Sequence, residues 1–262
     1  MDFSPLVNGF HFKNDFIDRI LQTNFGNIET RGRCGGMAFA ALDYYFSKIP
    51  IPTHEPKDFP NNKVPPDGSI LGDYIFKRSI NSLFTISSFK FLGWSVNRQN
   101  NNIIRRSISF KTRHEEFPKL KSHIDIGKPV VLGLVCSSSI KEICNNHQVV
   151  AYGYDWDLKK EIIVIYIYDS NIPNKEVLLE IDKNFNIRES NGQRWNEFFV
   201  QDYHLKYPKY QDLIIYENNK SFSLGKTYTI ENIGQFPANL KYIKLSECYY
   251  NNVILPKQKI FL

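Results

Sequence analysis

The chain has 262 residues, of which 42% are hydrophobic and 15% aromatic, so it can bury a large core and does not have the composition of a disordered protein. No run of about 18 apolar residues is present to cross a bilayer, and residues 1 to 19 mix Asp2, Lys13, Asp15 and Asp18 among their apolar positions, unlike a signal peptide; the expected location is the cytoplasm, with delivery as an effector by a non-classical route left open. The net charge of +6 raises the question of a nucleic-acid partner. No zinc, RRM or helix-turn-helix signature supports one, and nucleic acid is set aside.

In chain order, residues 11 to 24 predict a short helix. The segment Arg31-Gly32-Arg33-Cys34-Gly35-Gly36-Met37-Ala38-Phe39-Ala40-Ala41-Leu42 then places a cysteine where a glycine-punctuated loop becomes a small-residue, apolar helix. Unpaired N–H groups and a positive dipole at a helix start favour a thiolate over a thiol. Arg31 and Arg33 add positive charge nearby, so Cys34 is a candidate nucleophile. A proline-rich connection from Ile49 to Gly68 ends that helix. Residues 70 to 94 predict a second helix, because Ile70, Leu71, Tyr74, Ile75, Ile80, Leu83 and Phe84 recur near helical spacing. Arg98 to Arg113 carries five basic residues and no acidic one, and reads as a solvated loop rimming a cleft.

A helix over 115 to 126 leads through Gly127-Lys128-Pro129 into a strand from Val130 to Val135. The run His147-Gln148-Val149-Val150-Ala151-Tyr152-Gly153-Tyr154 places a histidine at the mouth of a strand, where a ladder fixes its backbone while the ring faces a cleft, as a general base requires. An acidic and basic turn from Asp157 to Glu161 separates it from a strong strand signal, Ile162 to Tyr168, that stops at Asp169. The turn predicts an antiparallel hairpin, which sets His147 beside Asp169; the carboxylate would orient the imidazole and stabilise its protonated form. Beyond it, 177 to 181, 211 to 217, 226 to 230 and 241 to 245 read as strands and 194 to 200 as a helix. Residues 205 to 262 are treated as a β-rich extension of a main unit spanning 1 to 204. Its seven tyrosines between 207 and 250 suit either a cover for the sheet edge or a surface for assembly.

The helix opening at Cys34, the Ile126 to Leu134 helix-turn-strand, the His147 strand and the strand ending Tyr168-Asp169-Ser170-Asn171 together make residues 20 to 175 resemble the papain-like cysteine peptidase superfamily, most closely its C39-like branch. The resemblance implies an α+β, papain-like fold, with the nucleophile helix packed on an antiparallel sheet, and a Cys34, His147, Asp169 triad. It also implies an oxyanion donor upstream of the nucleophile, where Asn27 is chosen over Asn24 and Gln22, beside the Cys34 N–H itself. Gly35-Gly36 departs from the large aromatic that follows the nucleophile in papain; with Gln148, these glycines are assigned to substrate binding.

The expected activity is a cysteine-dependent hydrolase that cuts peptide or isopeptide bonds through an acyl-thioester, with a protein or peptide as substrate. Transglutaminase, deamidase and other amidase chemistry share that intermediate and stay open, as do a noncatalytic papain-like binding module and a toxin-like effector. No metal or organic cofactor is called for: the six histidines show no zinc spacing. With Cys34 held as a thiolate, three cysteines remain (136, 144 and 248), so a disulfide framework is not expected and a reducing compartment suits the chemistry.

Overall fold

A computed structural model describes residues 2–23, 26–90, 94, 110–136 and 146–208, and five strands between 214 and 261; side chains are described outside 18–31 and up to 208. After a one-turn helix, α1 (Pro5–Asn8), the chain runs extended, and the alternate residues Phe10, Phe12 and Phe16 are buried. Period-two burial is what an extended segment gives. The short helix expected over 11 to 24 is therefore absent, and the end of that segment forms β1 (Ile17–Thr23), paired antiparallel with β2 (Gly26–Arg31).

The Cys34 segment is helical as expected: α2 (Cys34–Phe46) is buried at every position from Gly35 to Tyr44. Its composition is apolar all round, which suits a central helix covered on every side. One cover is α3 (Ile70–Leu83), capped by Ser69, whose hydroxyl accepts from the Gly72 N–H at 3.1 Å. Leu71, Ile75, Arg78 and Ser82 form its buried stripe. The two helices meet closely enough that a Cβ on Gly36 would overlap the Ile75 carbonyl oxygen. The helix expected to run unbroken to 94 stops at Leu83; Phe89, Lys90 and Trp94 are helical again after a separate tight turn, Ile86–Ser88. There the Thr85 and Ser88 hydroxyls both donate to the Ser82 carbonyl, so side chains take the place of helical N–H donors.

A buried ion pair locks this helical layer. Asp43 of α2 is 0% exposed, lies 2.6 Å from Arg78 Nε of α3, and accepts from Tyr74 Oη, Tyr203 Oη and the Lys206 N–H. The chain as far as Lys206 is thereby tied to the helices.

The main sheet has seven strands, antiparallel throughout, in the order β8 (Arg194–Trp195), β7 (Ile187–Glu189), β6 (Val177–Ile181), β5 (Ile162–Tyr168), β4 (His147–Asp157), β3 (Val130–Val135), β9 (Glu197–Val200). It curls into a half-barrel, and the architecture is a mixed one of helix and sheet. Residues of one parity, Val131, Val150, Tyr152 and Tyr168, join the α2 core; those of the other, Leu132, Leu134, Val149, Ala151 and Ile165, join a second core with Phe117 and Leu120 of α4 (Phe117–Ile124). Burial on both faces explains the unbroken apolar run of β3. A π-helical turn, Thr112–Glu116, precedes α4, so the helix expected over 115 to 126 is placed but differently bounded.

The helix expected over 194 to 200 is two strands instead, because β9 closes against β3 and buries Phe198 and Phe199, a pairing between distant segments that outweighs local propensity. Towards the C-terminus, β10 (Ile214–Glu217), β11 (Tyr228–Glu231) and β14 (Lys259–Phe261) form one small sheet, and β12 (Ala238–Leu245) and β13 (Cys248–Ile254) another. Among the described residues neither pairs with the seven-stranded sheet. Most of the basic stretch from 98 to 113 lies outside the described residues.

Candidate active site

Cys34 is the first residue of α2, and Gly32 just before it takes a φ of +88°, a conformation that suits glycine. Asn14 secures this entry: its Oδ1 accepts from the Arg33 N–H at 2.6 Å, and its own N–H donates to the Ser170 carbonyl at 3.0 Å, joining the loop before Cys34 to the loop after Asp169. His147 opens β4 and Asp169 follows β5. The hairpin register, Val150 opposite Tyr168, brings them together, and His147 Nε2 lies 2.6 Å from Asp169 Oδ1. His147 also interacts with the Cys34 side chain, through a hydrogen bond and through charge. His147 and Asp169 are buried, at 6% and 2% exposure, whereas Cys34 is half-buried.

The electrostatics favour an ion pair. Burial pushes the Cys34 thiol up, but the His147 hydrogen bond and charge, with the backbone N–H groups of Gln148 and Gly35, hold it below its ordinary value. Burial works against the charged form of His147 as well; the Asp169 charge and hydrogen bond, then Cys34, outweigh it and raise the imidazole well above its usual range. Asp169 lies below the ordinary carboxylate range, because His147, the Asn171 N–H and Glu189 together overcome its desolvation. A thiol that ionises early beside an imidazole that deprotonates late gives thiolate and imidazolium over the range between.

Arg33 stands differently from the expectation. Arg33 is 2% exposed; its guanidinium pairs with Asp67 at 2.6 Å, donates to the Gly72 carbonyl and lies over the rings of Phe16 and Phe76. It acts as a packing group whose charge is answered by Asp67. The Arg31 side chain lies outside the described residues. Asn27 sits in β2 opposite Gln22, its side chain also outside them, as is Asn24 altogether.

Gly35, Gly36 and Gln148 lie inside the molecule. A Cβ on Gly35 would overlap Gln148 Oε1 and Ser82 Oγ. Gln148 accepts from the Ser82 hydroxyl at 3.1 Å and donates to Gln201 Oε1, and Gln201 in turn donates to the Ser82 carbonyl at 2.6 Å. This buried polar network joins α3, β4 and the end of β9, and Gly35 of α2 packs against it beside Cys34.

Three site residues had no legible signal in the sequence. Asn171 places Nδ2 3.3 Å from His147 Nε2, Trp195 stacks its ring on that of His147 with centroids 6.0 Å apart, and Glu189 joins Trp195 to Asp169. The last two lie on short strands whose positions depend on the sheet. Among the described residues no group of three or more His, Cys, Asp or Glu side chains could hold a metal ion, and no helix is long and apolar enough to cross a membrane. Comparison with protein-family models, with curated proteins and with solved structures finds no match to this chain.

Proposed function

We propose that the chain is a cysteine-dependent hydrolase of papain-like, C39-like type that cleaves peptide or isopeptide bonds in a protein or peptide substrate. The observation that carries this reading is the buried relay from Asp169 through His147 to a half-buried Cys34 at the start of a helix. A nucleophile, a base and an orienting group within mutual hydrogen-bond reach are what thiol acyl transfer needs. The order Cys, His, Asp along the chain and the antiparallel sheet carrying the last two also support the family placement.

In the proposed reaction the Cys34 thiolate attacks the carbonyl carbon, and the C–S bond forms as negative charge moves to the oxygen. The Cys34 N–H, with the Asn27 amide as second donor, receives that oxyanion. His147 gives its proton to the leaving amine as the C–N bond breaks. It then takes a proton from water, whose oxygen attacks the thioester as the C–S bond breaks, releasing the acid and restoring the Cys34 thiolate beside the His147 imidazolium. Asp169 keeps the ring oriented throughout and stabilises its charge whenever it is protonated.

The test is labelling of Cys34 by iodoacetamide near neutral pH with peptide mapping, followed by profiling of a peptide library with wild type and Cys34→Ala. Cys34 should label ahead of Cys136, Cys144 and Cys248, and cleavage should vanish in the variant. Equal labelling of all four cysteines, or cleavage that survives Cys34→Ala, refutes the reading.

A further inference from the structure

The buried end of the relay holds one more ionisable group than acyl transfer requires. Glu189 of β7 is 1% exposed. Its Oε1 accepts from Asn191 Nδ2 at 2.6 Å and its Oε2 from Trp195 Nε1 at 2.8 Å. Trp195 lies nearly parallel to the His147 ring, at an interplanar angle of 16°. The Glu189 carboxyl also hydrogen-bonds that of Asp169. Two carboxyls in such contact need a proton between them, because two buried like charges so close repel. Across the ladder Glu189 faces Leu179, and its other neighbours, Trp195 and Asn191, are uncharged. The titratable groups facing it, among the described residues, are Asp169 and, beyond it, His147.

We propose that Glu189 is a positioning residue of this site, a protonated carboxyl that donates to Asp169 and anchors Trp195 over His147, so that one side chain steadies the imidazole on two sides. The consequence for turnover rests on the hydrolase reading; the coupling to His147 does not. The proton balance is simple: one proton lies between Asp169 and Glu189 and a separate one on His147 Nε2 bonds Asp169. When the shared proton leaves to solvent, Asp169 loses a donor and gains a neighbouring charge, and the field on His147 changes. Burial, then the Asp169 charge, pushes Glu189 up to about 7, which places that step near neutrality.

The test uses the whole chain as wild type, Glu189→Gln and Glu189→Leu, with two readouts: NMR of the His147 ring against pH, and the rate of Cys34 alkylation by iodoacetamide against pH. Wild type should show a neutral inflection in the His147 signals. Glu189→Gln, which offers an N–H donor at every pH, should lack it. Glu189→Leu offers no donor and releases the indole, and Cys34 alkylation should fall about ten- to a hundredfold, as expected for losing a hydrogen bond to a charged group. If Glu189→Leu does not fold, Glu189→Gln still decides. A neutral inflection that persists in Glu189→Gln, or that is missing from wild type, overturns the proposal. Slow Cys34 alkylation in wild type with the inflection present would defeat the hydrolase reading and leave the Glu189 coupling standing.

Discussion

Replacing Asp169 by Asn tests how much of the site depends on a charge, as opposed to an acceptor, behind His147. The amide keeps an oxygen for His147 Nε2, now 2.6 Å from Oδ1, so ring orientation survives. What is lost is the charge. A buried hydrogen bond to an ionised group contributes about 1.5–3 kcal/mol and a neutral one about 0.5–1.5, so the difference, about 1–1.5 kcal/mol, corresponds to a roughly tenfold drop in kcat/KM. The direction with pH follows from His147. Its imidazolium, raised by Asp169, exists below the folded-state pKa and is lost as pH rises through it. Without the carboxylate that pKa falls, so the alkaline limb of kcat/KM moves to lower pH. Glu189 responds too, because the new amide N–H donates to it and removes the like charge that helps to raise it. The assay is a kcat/KM profile on whichever library peptide is cleaved, with circular dichroism to show that the variant folds. A folded Asp169→Asn protein with wild-type kcat/KM and an unmoved alkaline limb would refute the argument.

Three further perturbations separate packing from chemistry. Gly35→Ala should destabilise the fold by about 1–3 kcal/mol in urea denaturation, since the added methyl overlaps Gln148 and Ser82 in a packed interior; a change within error would mean that this contact relaxes freely. Asp43→Ala leaves Arg78 buried without its partner and should cost about 3–5 kcal/mol, measured the same way, whereas less than about 1 kcal/mol would show that Arg78 finds solvent. Asn27→Ala should lower kcat by about 10²–10³ while Cys34 alkylation keeps its wild-type rate, because an oxyanion donor acts only once charge develops on the substrate; equal kcat would remove Asn27 from the mechanism.

Local chemistry alone determines much of this site. The glycine-flanked Cys34 opens a helix because small apolar residues follow it, and His147 and Asp169 meet because a tight acidic and basic turn joins two β-rich runs. Antiparallel pairing at short separation is a local property. Long-range pairing decided the rest. Phe10, Phe12 and Phe16 are extended because alternate rings enter the α2 core, and 194 to 200 is strand because β9 finds β3 more than 60 residues away in sequence. Arg33, which local charge counting sets beside the thiol, is answered by Asp67 across the α3 entry, so the thiolate depends on His147 and backbone N–H groups instead. Glu189 and Trp195 carry no signal in their own segments. Their places behind Asp169 and His147 come from the order of strands in a curled sheet, which gathers β4, β5, β7 and β8 around one buried carboxyl pair.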